Sequence, residues 1–351
     1  MSAVAPKSRF KGSITWFWTV IGPFLGLLAT IGLFAYLTRG SGTFLSVYNW
    51  RTISVQSVIV ATAALGMTLI MIAGGIDLSV GSSVALVCVV CALATRGSEM
   101  RLPWFLGRVL VPLKPLPLGP SLLLGVLVGG LCGFLNGTMI ARLRVVPFII
   151  TLGGMKMYRG LAKWLAGSTS IYMPQEAQTW WFNSALAMEP KPSWLIVAPG
   201  VWILLVLSLL LSILLRFTVF GRHLYAVGSN EKASSLCGLA VPRIKVGVYA
   251  IGGLLFGLAG VFQFIYLVGT GDPTTAEGLE LQVIAAVVIG GASLSGGEGT
   301  ILGTLIGCLI MSVLSNGCVL AGIPNAIRDI IIGAIIIAAV SLDRFRRGRQ
   351  D

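Results

Sequence analysis

Asp77 and Ser79 stand two residues apart in Gly-Gly-Ile-Asp-Leu-Ser-Val-Gly (74–81), a polar break in an apolar run from residue 53 to 94. A carboxylate and a hydroxyl at that spacing can accept hydrogen bonds from the unpaired amides that open a helix. They can equally line a polar path, because irregular backbone at membrane depth persists only where it is buried in protein or faces water. On the residues alone both roles stay open. Lys156, Arg159 and Lys163 follow at spacings of three and four, one face of a helix. Lys163 is placed to snorkel to an interface, whereas Arg159 needs a polar cavity or a partner, for which Asp77 is the candidate. Asn136 and Asn316, each followed by glycine, are further polar positions inside apolar runs, where an interhelical hydrogen bond is the simplest role. Asp77, Ser79, Asn136 and Arg159 are therefore the candidates for a polar path.

Other chemistries find no residues to work with. The single histidine, His223, has no nucleophile or carboxylate constellation around it, and neither H-E-x-x-H nor G-x-S-x-G occurs. Cys88 and Cys91 form C-x-x-C, but two valines between them and apolar flanks read as buried thiols. Leu294–Glu298 spells LSGGE, a fragment that also occurs in ATPase signature loops. No G-x-x-x-x-G-K-[ST] accompanies it, so this chain expects to bind no nucleotide or other cofactor, and no metal, itself.

The elements that must position these residues are membrane helices. Apolar residues make up 56% of the 351 and charged residues only 11%, against about 25% charged in soluble proteins. At about 20 residues per span, that apolar content matches roughly ten spans. Soluble enzymes, disordered tails and disulfide-stapled secreted domains are excluded. The fold class is an all-α polytopic membrane protein with about ten transmembrane helices and Gly-rich helix breaks. Forty-five glycines favour helices whose backbones approach closely. Spans are expected at about 14–37, 52–73, 79–95, 121–141, 146–166, 195–215, 246–267, 281–297, 300–320 and 325–342, in one domain over 1–351. The first is too long for a signal-peptide core and is read as retained.

Orientation follows from the basic residues. Fourteen of 25 lysines and arginines fall in the tails 1–13 and 343–351 and in the connections 142–145 and 216–245. Both termini are thus expected in the cytoplasm, and a net charge of +13 suits loops at an anionic membrane surface rather than nucleic acid. Trp180, Trp181 and Phe182, in the outer loop 167–194, suit a short helix at the interface or a docking surface.

Two further patterns concern the backbone. Gly-Gly-Ala-Ser-Leu-Ser-Gly-Gly (290–297) shares six of eight residues with 74–81, and paired Gly-interrupted segments point to a substrate path. In the 216–245 loop, Ser229 or Asn230 can cap a helix, Glu231 suits its first turn and Gly238 can stop it. That predicts a two-turn helix from Glu231 to Cys237 presented to the cytoplasm.

GGIDLSVGS (74–82), TLGGMKMYRGLA (151–162), GRHLYAVGSNEKASSLCGL (221–239) and AAVVIGGASLSGGEGTILGTLIG (285–307) together resemble the ABC-importer permeases of the ribose-type carbohydrate class. The resemblance extends from about residue 50 to 343. It implies a permease subunit that moves a monosaccharide across the bacterial inner membrane. It implies a pore built with a second permease copy or paralogue, and a cytoplasmic ATP-binding subunit with two fused nucleotide-binding halves that holds ATP and Mg. A periplasmic sugar-binding protein would deliver the solute. By the same resemblance Asn230, Glu231, Ala233, Ser234 and Gly238 belong to the coupling helix, where the family's usual pair of alanines is here Ala233-Ser234. A permease for a branched-chain amino acid or nucleoside, or a stand-alone secondary carrier, is the alternative. Only the carrier would work without a partner for the exposed helix.

Overall fold

The computed structural model describes residues 9–40, 42–97, 99–101, 110–112, 114–189 and 195–347. Residues 1–8 and 348–351 of the expected tails, and the basic residues Arg108 and Lys191 of the outer loops, lie outside them. Thirteen α-helices occur among the described residues. They are α1 (Arg9–Leu37), α2 (Val47–Ile72), α3 (Val80–Arg96), α4 (Leu118–Leu143), α5 (Pro147–Leu165), α6 (Trp180–Ala185), α7 (Pro199–Phe217), α8 (Val219–Ser229), α9 (Glu231–Leu236), α10 (Val241–Tyr266), α11 (Leu279–Ile289), α12 (Ile301–Leu320) and α13 (Asn325–Arg347).

Each expected span falls on a helix, and among the described residues α2, α4, α7, α10 and α12 have both the length and the hydropathy to cross a membrane. The segment 281–297 is not one helix. α11 stops after eleven residues, because Gly290 and Gly291 follow and Gly291 takes φ +89°. Starts obey local chemistry. Ser46 caps α2 through the Asn49 amide, Thr300 caps α12 through the Gly303 amide, and α5, α7 and α10 carry proline in their first turn.

α2 is the central post, buried along most of its length. α10, α12, α11 and α7 surround it, and the Thr68 and Thr304 hydroxyls meet across α2 and α12 at 2.6 Å. α10 lies against α4 closely enough to exclude side chains. A Cβ on Gly129 would come within 2.4 Å of the Gly257 Cα, and one on Gly133 within 2.1 Å of the Tyr249 carbonyl. Glycine spaced by four residues makes that seam, as in membrane helix pairs generally. Two short antiparallel ribbons close loops: β1 (Glu99–Arg101) with β2 (Leu110–Pro112), and β3 (Ile171–Tyr172) with β4 (Thr270–Gly271).

The tryptophan-rich segment is a helix, as expected. Phe182 of α6 is fully buried and meets Phe264 of α10 edge-on at 5.8 Å, while Trp180 stays exposed. The cysteines of C-x-x-C are buried in α3, with the Cys88 thiol directed at the Gly260 carbonyl of α10.

Candidate functional site

The break after α2 carries a closed polar cluster. Gly74 turns the chain at φ +76°, and Asp77 ends up with no exposed surface. Its Oδ1 accepts from the Ser79 amide at 2.8 Å and the Ser79 hydroxyl at 2.6 Å, while Asn136 Nδ2 of α4 reaches Oδ2 at 3.3 Å. Asn136 also donates to Ser79 Oγ at 2.9 Å. The Tyr158 hydroxyl of α5 lies 2.9 Å from Asn136 Oδ1 and 3.0 Å from the Cys132 carbonyl. The Ile76 carbonyl accepts from Thr151 of α5 and Tyr249 of α10. The break is thereby fastened to α4, α5 and α10. Ser79 makes no capping bond to α3; Asp77 takes the Ser79 amide in a local turn instead.

Arg159 is not part of this cluster, and the Asp77–Arg159 pair does not form. Its Nη1 donates to the Pro273 and Thr275 carbonyls, at 2.8 and 2.6 Å. Arg159 follows Tyr158, so it points about 100° away from the face that meets Asn136. The loop after α10 presents carbonyls there, and a guanidinium is satisfied by carbonyls as well as by carboxylates. Lys156 and Lys163 are exposed on the outer side of α5.

The loop that Arg159 holds forms one wall of a cavity of about 350 Å³. Gln56 of α2, Gln263 and Tyr266 of α10 and Gln282 of α11 line it, together with Ala276 and Glu277 of the loop. α12 contributes Ser312, Ser315 and Asn316, and α13 contributes Arg328. Gln263 Nε2 also donates to Thr275 Oγ1 at 3.0 Å, tying the wall to α10. Asp77, Ser79, Asn136 and Arg159 do not line this cavity. Asn316 does.

The other end of the bundle holds the 216–245 loop, which is more structured than expected. α8 precedes the predicted short helix, and α9 spans Glu231–Leu236, one residue shorter at its end. Asn230 Oδ1 accepts from the Ala233 amide at 2.9 Å, and Glu231 meets Lys245 at 2.7 Å. Gly238 follows at φ +84°, and the Leu239 amide returns to the Ser234 carbonyl, closing the helix. Ser234 faces inward and Leu236 outward.

α8 is seated on both glycine breaks. Gly228 lies on the Ile72 carbonyl, and that carbonyl accepts the Gly297 amide at 2.9 Å. Gly296 lies on the backbone of Gly74, and Tyr225 donates to the Gly299 carbonyl at 2.8 Å. The two similar octets thus meet each other at the end of the 216–245 loop.

Residues 49–340 match the family described as branched-chain amino acid transport system / permease component. The chain belongs to this family. The permease is 33% identical to the L-arabinose ABC transporter permease protein AraH of Azospirillum brasilense, over 99% of this chain and 94% of that one. It is 36% identical to the ribose import permease protein RbsC of Bacillus subtilis, over 92% of both chains. It is 33% identical to the fructose import permease protein FrcC of Rhizobium meliloti, over 92% of this chain and 84% of that one. No solved structure matches. It is accordingly a multi-pass membrane protein and a transport subunit, not an enzyme. For the permease, Gln56, Gln263 and Gln282 are the residues that sequence reasoning missed. Each is an isolated amide in an apolar run, and such amides need partners in a bilayer as charges do.

Proposed function

We propose that this permease moves a monosaccharide across the bacterial inner membrane as the membrane subunit of a binding-protein-dependent ABC importer. The observation that carries this is the sugar permeases related to it along 90% or more of its length. ATP and Mg reside on a cytoplasmic subunit with two fused nucleotide-binding halves, and a periplasmic sugar-binding protein supplies the solute. Both termini are cytoplasmic.

α9 is the coupling helix. Asn230 caps it, Gly238 ends it, Glu231, Ala233 and Leu236 are exposed, and it hangs directly from α8. Movement of α9 by the ATPase therefore bears on both glycine breaks through Gly228 and Tyr225. At the breaks, Asp77, Ser79 and Asn136 hold α3, α4 and α5 as one block beside the path. Arg159 fixes the outer loop that walls the cavity. A second permease copy or a paralogue covers the outward face of α5, where Lys156 is exposed and Gly153 and Gly160 have nothing within 4 Å of a Cβ. Lipid alone is a poor neighbour for that lysine.

The test is gentle-detergent purification of the tagged chain from its host, then uptake in liposomes. A co-purifying ATPase with two P-loops and ATP-dependent uptake of a sugar are expected. A chain that comes out alone and moves solute without ATP is a secondary carrier, and the reading fails.

A further inference from the structure

The cavity between α2, α10, α11, α12 and α13 holds several buried polar atoms without partners. Ser312 Oγ, Asn316 Oδ1 and Arg328 Nε have no hydrogen bond, and Asn316 is only 8% exposed. Polar groups withdrawn from water and left unpaired carry a penalty that a bound hydroxyl would remove. Those three atoms ask for different things. The amide oxygen needs a donor, the guanidinium nitrogen needs an acceptor, and the serine oxygen serves as either.

One ligand chemistry meets all three at once, because each hydroxyl of a polyol both donates and accepts. Ser312, Ser315 and Asn316 share a face of α12 at spacings of three and four, opposite the amides of Gln56, Gln263 and Gln282. Glu277 and Arg328 bring one charge of each sign, so the lining holds no excess charge to attract an anion such as a sugar phosphate. A zwitterionic amino acid would need two committed charged partners inside, whereas Glu277 is exposed. The volume of about 350 Å³ lies in the range of small-molecule sites.

We infer that this cavity is the permease's own solute site, taking one uncharged polyol ring held by Ser312, Asn316, Arg328 and the three glutamines. The inference rests on the proposed import function and adds its residues. Because Arg159 holds the loop carrying Ala276 and Glu277, it acts on this site as a positioning residue.

The assembled transporter in liposomes is given ribose, L-arabinose and fructose, with L-leucine as the zwitterionic comparison. Asn316→Leu and Gln282→Leu are expected to lower sugar uptake about tenfold, the factor one well-placed hydrogen bond is worth. Because either variant could fail to fold, a second measurement uses Ser315→Cys in a Cys237→Ser background. Millimolar sugar should slow maleimide labelling of that thiol severalfold, and L-leucine should not. A wild-type transporter that moves leucine and no sugar overturns the import reading itself. Sugar uptake that persists at wild-type rates in both variants, with a thiol no sugar protects, overturns the site alone.

Discussion

The seat of α8 gives the most direct perturbation. A Cβ built on Gly228 would stand 1.7 Å from the Ile72 carbonyl oxygen and 2.6 Å from the Gly297 nitrogen. Both are backbone atoms, so no rotamer change relieves the contact. For Gly228→Ala the chains must separate by roughly 1.3 Å to reach the 3.0 Å below which such contacts are essentially never found. Overpacking of this kind costs about 1–3 kcal/mol. The 2.9 Å bond from the Gly297 amide to the same carbonyl is stretched in the process, adding about 0.5–1.5 kcal/mol. A loss of about 1.5–4.5 kcal/mol is expected, and with it loosened contact between the 216–245 loop and the breaks.

Gly32→Ala provides the matched control. It lies mid-helix in α1 with nothing within 4 Å, so alanine should be neutral or stabilise by up to about 1 kcal/mol. The assay is the thermal midpoint of each purified variant in detergent, followed by ATP-driven uptake in liposomes. Gly228→Ala should unfold at lower temperature and lose most uptake while Gly32→Ala keeps both. Equal midpoints and equal uptake would refute the reasoning that the breaks and α8 share one close-packed joint.

Other perturbations test separate joints. Asn136→Leu removes both donors to Asp77 and Ser79 and the acceptor of Tyr158, so a loss of about 1–3 kcal/mol is expected. With Tyr158→Phe added, the combined loss in thermal unfolding should fall short of the sum, and strict additivity would mean the two do not share a network. Arg159→Lys keeps the charge but loses the fork onto the Pro273 and Thr275 carbonyls. Sugar uptake should fall severalfold at unchanged membrane abundance; wild-type uptake would show that the outer loop stands without it. In α9, Glu231→Ala breaks only an exposed pair with Lys245 and should change stability by less than about 1 kcal/mol. Asn230→Ala removes the cap and should cost about 1 kcal/mol and uncouple ATP hydrolysis from uptake; intact coupling in both would take the docking role away from α9.

What the sequence disclosed, and what it hid, divides by the range of the interaction. The breaks and the short helix α9 were legible because glycine pairs, Asn230 and Gly238 act on neighbours a few residues away. Asn136 was legible as a polar residue in an apolar run, yet its meeting with Asp77 depends on the glycine seam that lets α4 approach α10. Arg159 was given the wrong partner for an instructive reason. Sequence reasoning pairs a cation with the carboxylate it can see, while the fold supplied the carbonyls of Pro273 and Thr275, which every segment possesses and no sequence marks. The cavity was the least legible feature. Its amides come from positions as far apart as Gln56 and Asn316, and no local pattern joins them.

The two related octets bear on what such a pattern means. Six shared residues at 74–81 and 290–297 pointed to a substrate path, and the structure brings the segments into contact. Gly296 rests on Gly74, and Gly297 bonds to the residue that ends α2. Each octet lies where one helix stops and another begins, against the same third element, α8. A chain that turns there needs positive φ, which Gly74, Gly291, Gly296 and Gly297 adopt. It also needs a surface without side chains, because another backbone lies within 3 Å of where Cβ would be at Gly296 and Gly228. These two requirements select paired glycines on both sides of one contact. The similarity therefore follows from two backbones meeting at a joint, and on the proposed import function that joint is where a push on α9 would enter the membrane bundle.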